Sequence, residues 1–188
     1  MNDFDINTRD GLPAHLRLLA DRYPRDGWES HDNFSELTRF WLDRHLMFRK
    51  ALGMMQDETQ GFLNKEIDDQ RLAHQTARIG GFFVQNLHGH HMMEDQHYFP
   101  LLIGKEPKLD KGFEILDADH HALDAHLKRF TDDANALIQA VQAGDGAQLS
   151  ADALRKTLEA MEKFLDRHLT DEEELIVPIL LEYGDPET

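Results

Sequence analysis

The chain has 188 residues, a net charge of -16 at pH 7, no cysteine and twelve histidines. So acidic a chain excludes nucleic acid and anionic membrane as partners, because both attract positive charge. The missing thiol excludes disulfides, cysteine-ligated iron–sulfur clusters and thiol catalysis. The N-terminus carries neither a basic nor an apolar leader segment. The apolar stretch Leu175–Leu181 is too short to span a bilayer. The expectation is a soluble, cytoplasmic protein: an N-terminal extension over 1–31, then one helical domain over 32–183.

In the extension, Gly11-Leu12-Pro13 and Tyr23-Pro24-Arg25-Asp26-Gly27 are turn signals, with room for a short helix over 13–22. Trp28 reads as a packing anchor. The first long helix is expected from the capping residues Asp32 or Asn33. Its apolar line runs Phe34, Leu37, Trp41, Phe48, Leu52, Met55, and His45 falls on it. The second spans about 66–103, with an inward line of Leu72, Thr76, Ile79, Phe83, Leu87, His90, Glu94, His97 and Leu101. Gly80-Gly81 and Gly89 are its weak points for a bend. His91, about 100° round from His90, is expected to face solvent or the flank of a neighbouring helix. His97 is read as inward, first as an outer hydrogen-bond partner, with a further ligand or a cap for the pocket end as alternatives.

The third helix, over 113–143, has the line Leu116, His120, Leu123, Leu127, Phe130, Ala134, Leu137, Val141. Periodicity turns His120 in and His121 out, with His126 on the inward flank. After Gly144-Asp145-Gly146, the fourth helix runs to Tyr183, capped by Ser150 or Asp152. Its line is Leu154, Leu158, Met161, Leu165, His168, Glu172, Leu175, Ile179. Within the acidic run 171–174 only Glu172 lies on that line, so the other three are expected in solvent. His15, His31, His74 and His88 read as solvated.

One pattern is written twice: His90-x-x-x-Glu94-Asp95 closed by Pro100, and His168-x-x-x-Glu172-Glu173 closed by Pro178. Residues i and i+4 of a helix share a face, about 6 Å apart along the axis, so imidazole and carboxylate point to one place. Each of the four helices thus carries a histidine in its buried stripe. Imidazoles and carboxylates resist leaving water unless paired or bound to metal, and facing helices of bundles hold metal pairs in this way. The candidate ligands are His45, His90, Glu94, His120, His168 and Glu172, with His97 and His126 as further candidates. Imidazole and carboxylate without thiolate suit iron, manganese or zinc, whereas calcium and magnesium want oxygen alone. A mononuclear zinc site takes about four ligands. Six donors fit two metals better, with Glu94 and Glu172 between them, and the reading is a di-iron centre.

With these residues the chain resembles the hemerythrin family, specifically the bacterial hemerythrin-like HHE cation-binding domains, over about 32–182. The resemblance implies an all-α, up-and-down four-helix bundle around two iron ions with an oxo or hydroxo bridge, manganese or zinc ranking behind iron. His90 and His168 would pair with bridging Glu94 and Glu172, and His45 and His120 would fill the positions on the other two helices. The implied function is binding or sensing of a small diatomic ligand, oxygen or nitric oxide. The alternative is a di-iron oxidoreductase acting on peroxide or nitric oxide, or an iron-donating repair protein.

The chain departs from the oxygen-carrying members. Their third helix carries H-x-x-x-H, but Asp124 stands four after His120 and Ala125 four after His121. Their last carboxylate stands five residues after its histidine, a spacing that Glu173 rather than Glu172 matches. One imidazole is then absent, or supplied by His97 or His126, and a more open site favours redox chemistry. The extension reads as a lid or an oligomer contact, and a homo-oligomer is left open.

Overall fold

The computed structural model describes residues 5–187, and among these every regular element is helical. The chain is an all-α helical bundle with an N-terminal extension. The α-helices are α1 (Leu18–Arg22), α2 (Glu36–Leu63), α3 (Asp69–Met93), α4 (Phe99–Lys105), α5 (Asp110–Ala143) and α6 (Gln148–Tyr183). No helix among the described residues is long and apolar enough to cross a membrane.

Helix starts differ from expectation for identifiable reasons. Helix α2 begins after Ser35, whose Oγ accepts from the Thr38 amide at 3.2 Å, in place of Asp32 or Asn33. Asn33 is engaged elsewhere, donating from Nδ2 to the Leu181 carbonyl at 2.7 Å. Helix α5 begins at Asp110 and runs through Gly112 instead of starting after it. A Cβ on Gly112 would lie 2.8 Å from both Leu175 methyl carbons, so this glycine permits close packing and does not break the helix. Between α5 and α6, Gly144 (φ 72°) and Gly146 (φ 81°) both take the left-handed conformation.

The expected second helix is interrupted, but not at its glycines. A π-helical turn, Glu94–Tyr98, joins α3 to α4. It accommodates one extra residue, which rotates everything beyond it by about 100° relative to an α-helical line. The inward sequence after Glu94 is therefore Phe99 and Leu102, buried at 4% and 1%, rather than His97 and Leu101.

The chain divides into two compact units. One comprises the described parts of Met1–Leu46, His90–His121 and Asp166–Thr188; the other comprises Met47–Gly89 and Ala122–Leu165. In the first, the extension packs into an apolar cluster: Leu12, Leu16 and Leu19 join Trp41, Leu116 and Ile176. Trp28 is buried against Val177 and Leu181, and its indole N–H donates to the Tyr23 carbonyl at 2.7 Å. The second unit is closed by aromatic rings. Phe83 meets Phe48 and Phe130 edge-on at centroid distances of 6.3 and 6.1 Å.

Candidate metal centre

The first unit contains a buried assembly of imidazoles and carboxylates. Two sets of ligand atoms each gather within 4.8 Å: His45, His90, Glu94 and Glu172 in one, His91, His120 and His168 in the other. Helix α2 supplies His45, α3 supplies His90 and His91, α5 supplies His120, and α6 supplies His168 and Glu172. Glu94 opens the π turn. His45, His168 and Glu172 have no exposed surface, and Glu94 is 1% exposed.

The two glutamates straddle the sets. Glu94 turns Oε1 to His90 Nε2 at 2.9 Å and Oε2 to His120 Nε2 at 3.5 Å. Glu172 turns Oε1 to His45 Nε2 at 3.3 Å and Oε2 to His168 Nε2 at 3.4 Å. Each carboxylate thus offers one oxygen to each set.

His45 Nε2 and His90 Nε2 share a hydrogen bond at 3.1 Å, but most of the other atoms go unsatisfied. His91 Nε2, His120 Nε2, His168 Nε2, both Glu94 oxygens and Glu172 Oε2 are buried and lack a hydrogen-bond partner. A buried unsatisfied polar group costs about 1–3 kcal/mol, against a whole-domain stability of about 5–15 kcal/mol. Such a cluster of orphaned lone pairs fits metal ions in its midst. The donor set, nitrogen and oxygen without sulfur, suits a borderline transition metal.

The imidazoles are fixed from behind. Nδ1 of His120 donates to Asp95 at 2.8 Å, Nδ1 of His168 to Asp119 at 3.3 Å, and Nδ1 of His45 to Glu173 at 2.9 Å. An Nδ1–H held by a carboxylate turns Nε2 to the centre, the usual carboxylate–histidine–metal arrangement. His120 is sandwiched, stacked on His91 at 4.0 Å and on Phe99 at 5.6 Å. The Trp41 indole donates to Glu172 Oε1 at 2.5 Å and holds that carboxylate in place.

Electrostatics follow from burial and crowding. Burial drives His90 down to about 3 and His91 well below 6.5, with neighbouring imidazoles adding to the effect. Burial also lowers His168. Burial acts against the charged form of His45 as well, but the Glu172 and Glu173 carboxylates outweigh it and raise His45 to about 9. Burial and the nearby Glu172 charge hold Glu94 well above the usual carboxylate range. In Glu172 burial is outweighed by His45, and its carboxyl is held well below that range.

The structure gathers His45, His90, Glu94, His120, His168 and Glu172 in one place. It does not gather His97 or His126 there. The π turn carries His97 outward, where its side chain is 44% exposed and Nε2 lies 2.7 Å from Glu187. His126 belongs to the second unit and packs on Phe164 at 4.5 Å. The residue the sequence missed is His91, 6% exposed and inside the second set. It faces α5 and α6 while His90 faces α2, so adjacent residues serve opposite sides of one interior. The doubled His90-His91 was the available signal.

The acidic run also corrects expectation, because Asp171 and Glu173 are buried at 0% and 2%. The extension covers that flank of α6: Arg9 reaches Asp171, and Arg25 reaches Glu173. The apolar residues Phe48, Phe83, Leu87, Leu123 and Phe164 belong to the second unit. Within the first unit Trp41 meets His90 edge-on and Phe99 stacks on His120.

Compared with protein families, the chain matches the hemerythrin HHE cation binding domain over residues 36–180. The chain belongs to that family. A search of curated proteins and a search of solved structures each found no match. This hemerythrin-like chain is accordingly a metal-binding helical domain.

Proposed function

We propose that the protein is a non-haem di-iron protein that reversibly binds or senses a small diatomic ligand, oxygen or nitric oxide. His45 and His90 would hold one iron, His91, His120 and His168 the other, and Glu94 and Glu172 would bridge them. The observation that carries this reading is the way each glutamate divides its oxygens between the two imidazole sets. Bound as a pair, the irons would supply redox-linked coordination of the ligand.

The chain's own residues do the rest. His120, His168 and His45 would present Nε2 to the metals, oriented from behind by Asp95, Asp119 and Glu173. Trp41 keeps Glu172 turned to the centre. Burial excludes bulk water from the site, which strengthens every electrostatic contact inside. By donor count the side with two histidines, His45 and His90, would leave more room for a ligand. A fifth imidazole from His91, grouped with His120 and His168, would make the site less open and favours ligand binding over the oxidoreductase.

The test is reconstitution with ferrous iron under argon, then metal analysis and optical titration with oxygen and with nitric oxide. A pair of irons per chain and an adduct that leaves on degassing support the reading. Irreversible oxidation, with turnover of added peroxide, would replace it by the oxidoreductase. A single zinc, or no metal, would remove the di-iron centre altogether.

A further inference from the structure

The extension sends two arginines to the rear of the metal site. Arg9 is 2% exposed at its side chain and forks onto Asp119, with Nη1 donating to Oδ1 at 2.8 Å and Nη2 donating to Oδ2. Its Nε donates to Asp171 Oδ2 at 2.8 Å. Asp119 Oδ2 in turn accepts from His168 Nδ1. The second arm repeats the arrangement. Arg25 Nη2 donates to Glu173 Oε2 at 2.5 Å, and Glu173 Oε1 accepts from His45 Nδ1 at 2.9 Å. His168 belongs to one imidazole set and His45 to the other. The two arms therefore reach one histidine in each.

We propose that the N-terminal extension is a strap that positions the metal site. Arg9 and Arg25 are its positioning residues, each acting through a carboxylate on a histidine of a different set. The inference rests on the metal-binding reading of those histidines. A planar guanidinium fixes the plane of the carboxylate it grips in a way a point charge does not. The fixed carboxylate fixes the tautomer and the ring of its histidine, and so the aim of Nε2. Simple adhesion of the extension needs no such arms. Arg22 joins the same extension to Glu182 of α6 at 2.7 Å, and Glu182 belongs to neither set of ligand atoms.

The test compares Arg9→Gln, Arg25→Gln and Arg22→Gln in the full chain. In metal-free protein the Nδ1–H protons of His168 and His45 are followed by NMR. In protein loaded with ferrous iron, transfer to a chelator is followed. Arg9→Gln is expected to hasten solvent exchange of the His168 proton alone, and Arg25→Gln that of the His45 proton alone. Each weakens ferrous iron binding by about 10- to 100-fold, the usual effect of losing a ligand's outer partner. Arg22→Gln changes neither readout. Both protons unaltered in folded variants, or all three variants acting alike, would overturn the strap. Iron failing to bind the unmodified chain would overturn the proposed function instead, and the proton signals would then decide the strap alone. If Arg9→Gln does not fold, Arg25→Gln, at a half-exposed arginine, carries the decision.

Discussion

The two units are built from stretches of the same four long helices, yet among the described residues only the first buries ionisable groups beside its apolar cluster. The second is filled by Phe48, Leu52, Phe83, Leu123, Phe130 and Leu158, all 3% exposed or less. The first buries Arg9, His45, His91, Glu94, Asp119, His120, His168, Asp171, Glu172 and Glu173. An apolar interior is held by area removed from water and needs no partner beyond good packing. An ionisable interior costs free energy unless every group is paired or ligated. The difference teaches that the amphipathic pattern makes the bundle, while the first unit's interior depends on the extension and on what it binds.

The sharpest way to break this contrast is to remove a straddling carboxylate. Glu94→Ala and Glu172→Ala should each abolish iron loading, read as metal per chain, while hydrogen exchange in the second unit's helices stays as it was. His91→Ala should reduce loading as much as His120→Ala does, and His121→Ala should leave it unchanged. Equal loading in all three would return His91 to a packing role. A smaller effect is expected from the outer partners, which do not touch metal. Asp95→Asn and Asp119→Asn should weaken ferrous iron by about 10- to 100-fold, measured by competition with a chelator.

The metal-free protein should also show the contrast through pH. Burial holds His90, His91 and His168 below the ordinary 6.5, so the unfolded chain binds protons there that the folded chain refuses. Their contribution is full above pH 6.5 and is lost as the pH falls below it. His45, raised to about 9, acts in the opposite sense: its contribution is full below 6.5 and is lost as the pH rises through about 9. Urea unfolding from pH 5 to 10 should therefore show stability falling at both ends. Hydrogen exchange should locate the acid loss in the first unit, and uniform loss across both units would contradict the comparison.

The smallest effects belong to the second unit and are pure packing. A Cβ on Gly80 would stand 2.9 Å from Phe130 Cζ, whereas one on Gly81 would meet nothing within 4 Å. Gly81→Ala should stabilise by up to about 1 kcal/mol through helix propensity. Gly80→Ala meets an overpacking cost of about 1–3 kcal/mol and should be destabilising on balance. Thermal unfolding separates the two signs.

Much of this was legible in the chain alone. A 3.6-residue period marks one buried stripe per helix, and so picked out His120 over His121 and aligned His168, Glu172, Leu175 and Ile179 on α6. The doubled His-x-x-x-Glu motif identified the family through the same local geometry. Periodicity fails where a helix changes its winding, and the π turn after Glu94 therefore sent His97 outward and Phe99 inward. It fails again where one helix has two buried sides, as at His90 and His91. It is blind to cover arriving from a distant segment, which is why Asp171 and Glu173 read as solvated. Helix, stripe and motif are set by residues three or four apart, which the sequence by itself determines. Whether a carboxylate beside that stripe meets water or the guanidinium of Arg9 or Arg25 depends on contacts between segments far apart in the chain, and only the tertiary structure decided it.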